Sequence, residues 1–188
     1  MASILNVDQI NNAAGTSGIA LDASTGKASF PNGANLPAGS VLQVVQATTT
    51  TPVTVTGTTY TDTNLSGSIT PKSASSKILV TVNQQVYPYS GGNILGFGIR
   101  LLRGATSIYD PATDSTGPLS TYLEITGASQ IYHILNHPIT YLDSPNTTSL
   151  VTYKTQSRVR VAGTTVLLQW AANAIGGTST ITLMEIAQ

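Results

Sequence analysis

Apolar and polar residues alternate along most of the chain with the period of two that is typical of β-strands. The clearest strand is predicted at Lys77–Tyr87, where Ile78, Val80 and Val82 fall on one face and the residues between them fall on the other. Ile94–Arg103 also carries a large apolar side chain at every second position. No stretch shows the 3.6-residue period of an amphipathic helix. The pattern therefore predicts an all-β protein.

About ten short strands at regular spacing predict an antiparallel two-sheet sandwich with a jelly-roll-like order. Gly, Pro, Asn and Ser clusters bound these strands, and the turn at Asp143–Asn146 is the clearest of the boundaries. The other predicted strands are Val41–Ala47, Val53–Thr56, Tyr60–Thr63, Ser66–Thr70, Thr106–Tyr109, Tyr122–Thr126, Gln130–Ile134, Ile139–Leu142, Leu150–Gln156, Thr165–Asn173 and Ser179–Ala187.

Three further features refine the predicted sandwich. Gly96 and Gly98 lie inside a predicted strand, so they indicate either a bulge or a close approach of another backbone. Pro138 predicts either a bend in its strand or a position at a sheet edge, because proline has no backbone N–H group to donate to a ladder. The segment Asp110–Thr121 is the longest loop candidate, since Pro, Gly, Asp, Ser and Thr occur throughout it.

Residues 1–39 differ from the rest because they contain few large apolar side chains among Asn, Gly, Ala and Ser. Such a segment needs identical neighbours or another protein to cover its apolar residues. We therefore expect two parts, an extended attachment segment over residues 1–39 and a β-sandwich head over residues 40–188. The attachment and trimer contacts are expected at Ile4, Leu5, Val7 and Ile10.

Charge is scarce in this chain. Only 9% of its 188 residues are charged, and the formal net charge is zero, so electrostatic repulsion between copies is weak and self-association is expected. The scattered basic residues form no patch that would bind a nucleic acid. There is no signal-peptide pattern and no run of about 20 apolar residues that would insert in a membrane. No cysteine is present, which excludes disulfides and thiolate metal sites.

Catalytic chemistry has few candidate residues. His133 and His137 are four residues apart and could share a strand face, where two imidazoles can in principle bind a metal. The more ordinary interpretation is that they are polar positions on a sheet. The carboxylates are dispersed and form no pair of the kind that glycosidases use. We therefore expect no enzymatic activity and no cofactor or metal.

Both ends of the chain resemble known viral proteins. The run YLDSPNTTSLVTYKTQ and the terminal strand STITLMEIA resemble the C-terminal head domains of phage fibre and receptor-binding proteins, especially those of phages of marine bacteria and cyanobacteria. The pieces ILNVDQI, GTSGIALD and FPNGANLPAGSVLQV resemble the N-terminal portions of the same proteins. The two resembling regions that contain these pieces cover about half of the chain, mostly its ends.

The resemblance implies a structural protein of the virion, assembled in the host cytoplasm, that acts as a trimeric tail fibre or receptor-binding protein. Its partners would be two further copies of itself, other tail or capsid proteins, and a glycan on the host cell surface. The alternatives are a capsid-decorating or head-fibre protein and a carbohydrate-processing enzyme.

Loops that carry aromatic, amide and carboxylate side chains are the expected receptor contacts. Aromatic rings cover the apolar faces of sugars, while amides and carboxylates bind sugar hydroxyls. The candidates are Tyr87, Tyr89 and Asn93 in one loop and Asp110 and Asp114 in another. Trp170 lies in the apolar run VLLQW and is instead expected to be a core or interface residue.

Overall fold

A computed structural model describes residues 9–11, 17–22, 24–29, 36–115, 117–172 and 175–188. The chain divides into two compact units, residues 1–37 and residues 38–188. In the first unit, β1 (Gln9–Asn11), β2 (Ser17–Leu21) and β3 (Ala28–Ser29) form an antiparallel sheet.

The turn between β2 and β3 is built around Asp22. Its Oδ1 accepts hydrogen bonds from the backbone N–H groups of Ser24 and Thr25 at 3.0 and 2.7 Å. Hydrogen bonds from the Ser24 hydroxyl and from Thr25 lower the pKa of Asp22 to about 2. This short polar turn lets a segment with few large side chains fold back on itself.

The second unit contains all the remaining strands of the described residues. They are β4 (Val41–Thr49), β5 (Val53–Val55), β6 (Thr61–Ile69), β7 (Lys77–Ser90), β8 (Ile94–Arg103), β9 (Thr106–Tyr109), β10 (Thr113–Asp114), β11 (Gly117–Pro118), β12 (Thr121–Glu124), β13 (Ile131–Tyr132), β14 (Leu135–Asp143), β15 (Val151–Val159), β16 (Thr164–Leu168), β17 (Ala171–Ala172), β18 (Ile175–Gly176) and β19 (Ser179–Ile186).

Two large antiparallel sheets pack together in this unit, which confirms the predicted β-sandwich. The seven-stranded sheet has the order β4-β19-β7-β16-β5, with β13 and β14 on the opposite edge of β7. The five-stranded sheet has the order β12-β8-β15-β6, with β9 also paired to β8. Two small hairpins, β10-β11 and β17-β18, complete the unit.

The long strand β7 organises the larger sheet. On one side of β7, β19 pairs with its first half and β16 with its last five residues. On the other side, β14 pairs with residues 78–86 and β13 with residues 89–90. Its residues Ile78, Val80, Val82 and Val86 are fully buried in the core, so the predicted alternation is confirmed. Pro88 fits inside β7 because the ladder to β13 and β14 is interrupted beside it.

A buried chain of polar side chains joins the two sheets through the apolar core. The Thr155 hydroxyl of β15 donates to Gln84 Oε1 of β7 at 2.9 Å, and Gln84 Nε2 donates to Ser179 Oγ of β19 at 2.9 Å. The Thr63 hydroxyl of β6 lies 2.5 Å from that of Thr155. Because polar groups in a core must be paired, this series of hydrogen bonds favours one alignment of the two sheets over others.

The structure corrects one predicted strand boundary and explains the two glycines of β8. The two strands predicted at 60–63 and 66–70 are a single strand, β6. The pairing of β6 with β15 is irregular between them, where Asn64 adopts a left-handed φ of 61°. A Cβ atom on Gly98 would lie 2.5 Å from the Pro118 carbonyl oxygen. The glycines of β8 therefore mark a close approach, in which residues of the predicted 110–121 loop cover the strand.

Pro138 lies within β14, which pairs with β7 alone among the described residues. Of the two predicted alternatives, a bend or an edge position, the edge position is observed. Because Pro138 has no backbone N–H group, the free side of this nine-residue strand lacks a donor that another strand could use.

Candidate functional site

Four aromatic side chains come together on the outer face of the seven-stranded sheet, and we call them the aromatic cluster: Tyr87, Tyr89, Tyr132 and Trp170. The Tyr87 and Trp170 rings stack with centroids 4.3 Å apart and planes 12° from parallel. Tyr132 lies 6.3 Å from Tyr87 and 6.2 Å from Tyr89, tilted by 18° and 26°. The Tyr87 and Tyr89 ring centroids lie 6.2 Å apart with the planes inclined at 41°, so the cluster is a contiguous set of partly stacked rings.

The strand register explains three of these rings. Tyr87 and Tyr89 alternate with buried residues of β7 and so face outward. Tyr132 of β13 is the direct cross-strand partner of Tyr89. Cross-strand aromatic neighbours on one face lie close enough to interact.

Trp170 reaches the cluster through a break in the alternation. Gln169 is fully buried and has a left-handed φ of 51°, which ends β16 and turns the next residue outward. The Trp170 N–H group then donates to Gln85 Oε1 at 2.9 Å, and its carbonyl accepts from the Gly177 N–H group at 3.0 Å. Gln85 therefore holds the backbone that carries the Trp170 ring.

The cluster combines exposed ring surface with hydrogen-bonding groups. Tyr132 is 55% exposed, whereas Tyr87, Tyr89 and Trp170 are half-buried. The Tyr132 hydroxyl donates to Gln130 Oε1 at 2.7 Å. Flat apolar faces with hydroxyl and amide groups at their rim are suited to sugar rings, which present C–H faces and hydroxyl edges.

A groove begins where β7 leaves the cluster. It is lined by the turn that follows β7, from Ser90 to Ile94, and by the turn at Val161–Gly163, and its volume is about 360 Å³. Asn93 is exposed in this groove. The lining is uncharged, and glycines contribute much of it.

The five predicted receptor residues do not form one site. Tyr87 and Tyr89 lie in β7, not in a loop, while Asn93 lies in the turn beyond it. Asp110 and Asp114 lie against the outer face of the other sheet, where each is paired. Asp110 Oδ2 accepts from the Ser107 hydroxyl at 2.7 Å, and Asp114 Oδ2 accepts from Arg160 Nε at 3.0 Å.

The two histidines have different surroundings. His133 is exposed between β13 and β14, whereas His137 is half-buried in β14 with its ring edge-on to Phe97 at 6.0 Å. Burial lowers the pKa of His137. Among the described residues, no group of three His, Asp or Glu side chains is placed to hold a metal.

Of the predicted attachment residues, Ile10 lies in β1 and is 52% exposed. Ile4, Leu5 and Val7 lie outside the described residues. No helix long and apolar enough to span a membrane occurs in the described ranges. The chain matches no protein-family description, and no curated protein is significantly similar to it in sequence.

Proposed function

We propose that this chain is a structural protein of a phage virion whose β-sandwich head binds a glycan on the host cell through the aromatic cluster. The observation that carries the proposal is the contiguous set of four partly stacked rings, with Tyr132 exposed, on the outside of a sheet. The resemblance of both chain ends to phage fibre and receptor-binding proteins supports the virion location.

The cluster needs little reorganisation to bind. Strand register fixes Tyr87, Tyr89 and Tyr132, and hydrogen bonds to its backbone fix Trp170. Rings that are ordered before binding lose little conformational entropy when a ligand arrives. Stacked aromatics on a rigid sheet are thus a suitable surface for repeated, reversible contacts with a polysaccharide.

The working unit in this proposal is a homotrimer. A row of apolar side chains crosses four strands on the outside of the seven-stranded sheet, at the end away from the aromatic cluster: Val44, Met184, Leu79 and Leu142 are successive cross-strand neighbours. Val44 and Leu142 are 57% and 50% exposed. A second copy of the chain would remove this surface from water.

The direct test compares three single variants of the purified protein in binding to cells of the phage host. Tyr132→Ala and Trp170→Ala should each weaken binding by about tenfold or more, because truncating a central aromatic contact costs upwards of 1 kcal/mol. Tyr122→Ala is the matched control, since Tyr122 is 44% exposed but lies on the other sheet beneath Arg160.

Equal binding by all four proteins would contradict the role of the cluster. Labelling the chain in intact particles distinguishes a tail fibre from a capsid-decorating protein, which would bind the shell.

A further inference from the structure

We propose that the aromatic cluster and the adjoining groove form one extended site for an uncharged oligosaccharide, with at least two sugar units bound in sequence. This inference rests on the proposed glycan-binding function and names the chemical class of the glycan. Two observations carry it: the absence of charged side chains from the segments that build the site, and the continuity of the cluster with the groove.

The charge argument comes from the sequence of the three segments concerned. Residues 84–94, 129–137 and 160–179 contain a single Asp, Glu, Lys or Arg, which is Arg160. The guanidinium of Arg160 is occupied elsewhere, since its Nε donates to Asp114 and its Cζ lies 4.8 Å above the Tyr122 ring on the other sheet. The site therefore offers no fixed counter-charge to a ligand.

An acidic sugar is at a disadvantage in such a site. A carboxylate or sulfate group that loses water against apolar rings must be compensated by a cation or by several donors. Neutral sugar hydroxyls need only single hydrogen bonds from amides, hydroxyls and backbone groups. The same lack of charge makes affinity for a neutral sugar nearly independent of salt, because screening has no ion pair to weaken.

The continuity argument comes from the order of residues along β7. Tyr89 of the cluster is followed directly along β7 by Ser90, a buried residue that lines the groove. The cluster and the groove are therefore adjacent at the end of β7, so a ligand that stacks on the rings and extends past Ser90 would reach the groove. With a volume of about 360 Å³, the groove holds a further unit beyond the one on the cluster.

Fluorescence of the protein offers a direct readout, because Trp170 is the only tryptophan in the chain. The full-length protein is titrated with cellohexaose, maltohexaose, mannohexaose and, as the acidic counterpart, hexagalacturonate. At least one neutral hexamer should change the Trp170 emission and bind at least about tenfold more tightly than the hexauronate. Its Kd should stay within about twofold between about 50 and about 500 mM NaCl.

Ligand length tests the groove. The neutral hexamer should bind more tightly than the matching disaccharide, and Gly91→Leu should remove most of that difference. Gly91 lines the groove and has no atom within 4 Å of an added Cβ, so the larger side chain is accommodated by the fold. Tyr132→Ala should weaken both ligands.

The outcomes separate this inference from the proposed function. Equal or tighter binding of the hexauronate, or affinity that falls steeply with salt, would overturn the neutral class while glycan attachment stands. Equal affinity for disaccharide and hexamer would overturn the extended site. Failure of every neutral hexamer would overturn the inference, and the proposed function fails with it only if Tyr132→Ala also leaves host-cell binding unchanged.

Discussion

The two outer faces of the sandwich use polar residues in different ways. The outside of the five-stranded sheet and the loop that covers it, here the charged face, hold half of the chain's 16 charged residues: Asp62, Arg100, Asp110, Asp114, Glu124, Lys154, Arg158 and Arg160. The outside of the seven-stranded sheet, here the threonine-rich face, has rows such as Gln46, Thr182, Thr81 and Thr140 across four strands. Its charged exception is Lys77, at the first residue of β7.

The charges of the charged face are satisfied within the molecule. Arg100 donates twice to Gln156 Oε1, at 2.9 and 2.6 Å, and its Cζ lies 4.1 Å above the Tyr60 ring. Burial raises the pKa of Tyr60 to about 12. Lys154 Nζ donates to Asp62 at 2.9 Å. Because these groups already have partners, this face has little unpaired charge to attract an ionic ligand.

The threonine-rich face has few such internal partners for its outward side chains. Its hydroxyls and amides are uncharged, and its apolar row and aromatic cluster lie at opposite ends. The few charged residues of this chain are therefore not distributed evenly over its surface. On one face they pair with each other beneath a loop, whereas the outward side chains of the other face are nearly all uncharged. This difference suggests three ways to test the comparison.

The largest effect is expected from placing a charge on the threonine-rich face. Thr182 lies in the middle of β19 between Gln46 and Thr81, so a glutamate there has no cation beside it. In a trimer that buries the apolar row, whose Met184 is the next outward residue of β19 after Thr182, Thr182→Glu should dissociate the assembly, since burying an unpaired charge at an interface costs several kcal/mol. Light scattering should then show a change from three chains to one 19.5 kDa chain.

Ser66→Glu is the control, because Ser66 is an exposed residue on the charged face and pairs directly with Lys154. This variant should keep the mass of the unmodified protein. A Thr182→Glu protein that remained trimeric would show that this face is not the interface, and an unmodified protein that is monomeric at micromolar concentration would contradict the trimer itself.

The next largest effect tests how the charged face is closed. Gly98→Ala should lower the free energy of unfolding by about 1–3 kcal/mol, because overpacking a filled site forces the backbone apart. The new Cβ would meet the Pro118 carbonyl oxygen at 2.5 Å. Denaturant unfolding monitored by fluorescence measures the change.

Gly91→Ala serves as the comparison for this substitution, since no atom lies within 4 Å of its added Cβ. It should change stability by less than about 0.5 kcal/mol. Equal stability of both variants would mean that the covering loop does not press on β8.

The sequence was most informative where local chemistry decides structure. The bounds predicted for β8 and β9 match those observed, because strict alternation on both sides of Gly104 left one possible turn, and Gly104 has the left-handed φ of 59° that favours glycine. The close approach of another backbone, one of the two alternatives predicted at Gly98, is also observed. Its partner, Pro118, could not be identified, because sequence gives no measure of which loop covers which strand.

The grouping of the four rings in the aromatic cluster could not be predicted from the local sequence pattern. The sequence predicts that this strand ends at Tyr87, whereas β7 continues through Pro88 to Ser90, because the ladder to β13 and β14 is interrupted beside Pro88. Tyr132 joins them only through the register of β13. Trp170 joins them through the left-handed turn at Gln169, a residue type that gives no signal for that conformation.

The smallest expected effect is on the pH dependence of stability, through protonation of His137 in the seven-stranded sheet. Burial lowers the pKa of His137 below its ordinary value of 6.5. As the pH falls below 6.5, the unfolded chain binds a proton that the folded chain does not, so stability decreases until the pH reaches the folded-state pKa. Above pH 6.5 both states are neutral at this residue and the contribution vanishes.

His137→Gln should therefore flatten the pH dependence of the unfolding free energy as the pH falls below 6.5, by at most about 1.4 kcal/mol per pH unit. His133→Gln, which removes an exposed histidine four residues away, is the matched control. Denaturant unfolding at a fixed protein concentration, repeated across this range, measures both slopes. If the two variants behave alike, the burial of His137 against Phe97 does not resist protonation, and this edge of the sheet accepts charge as readily as its surface does.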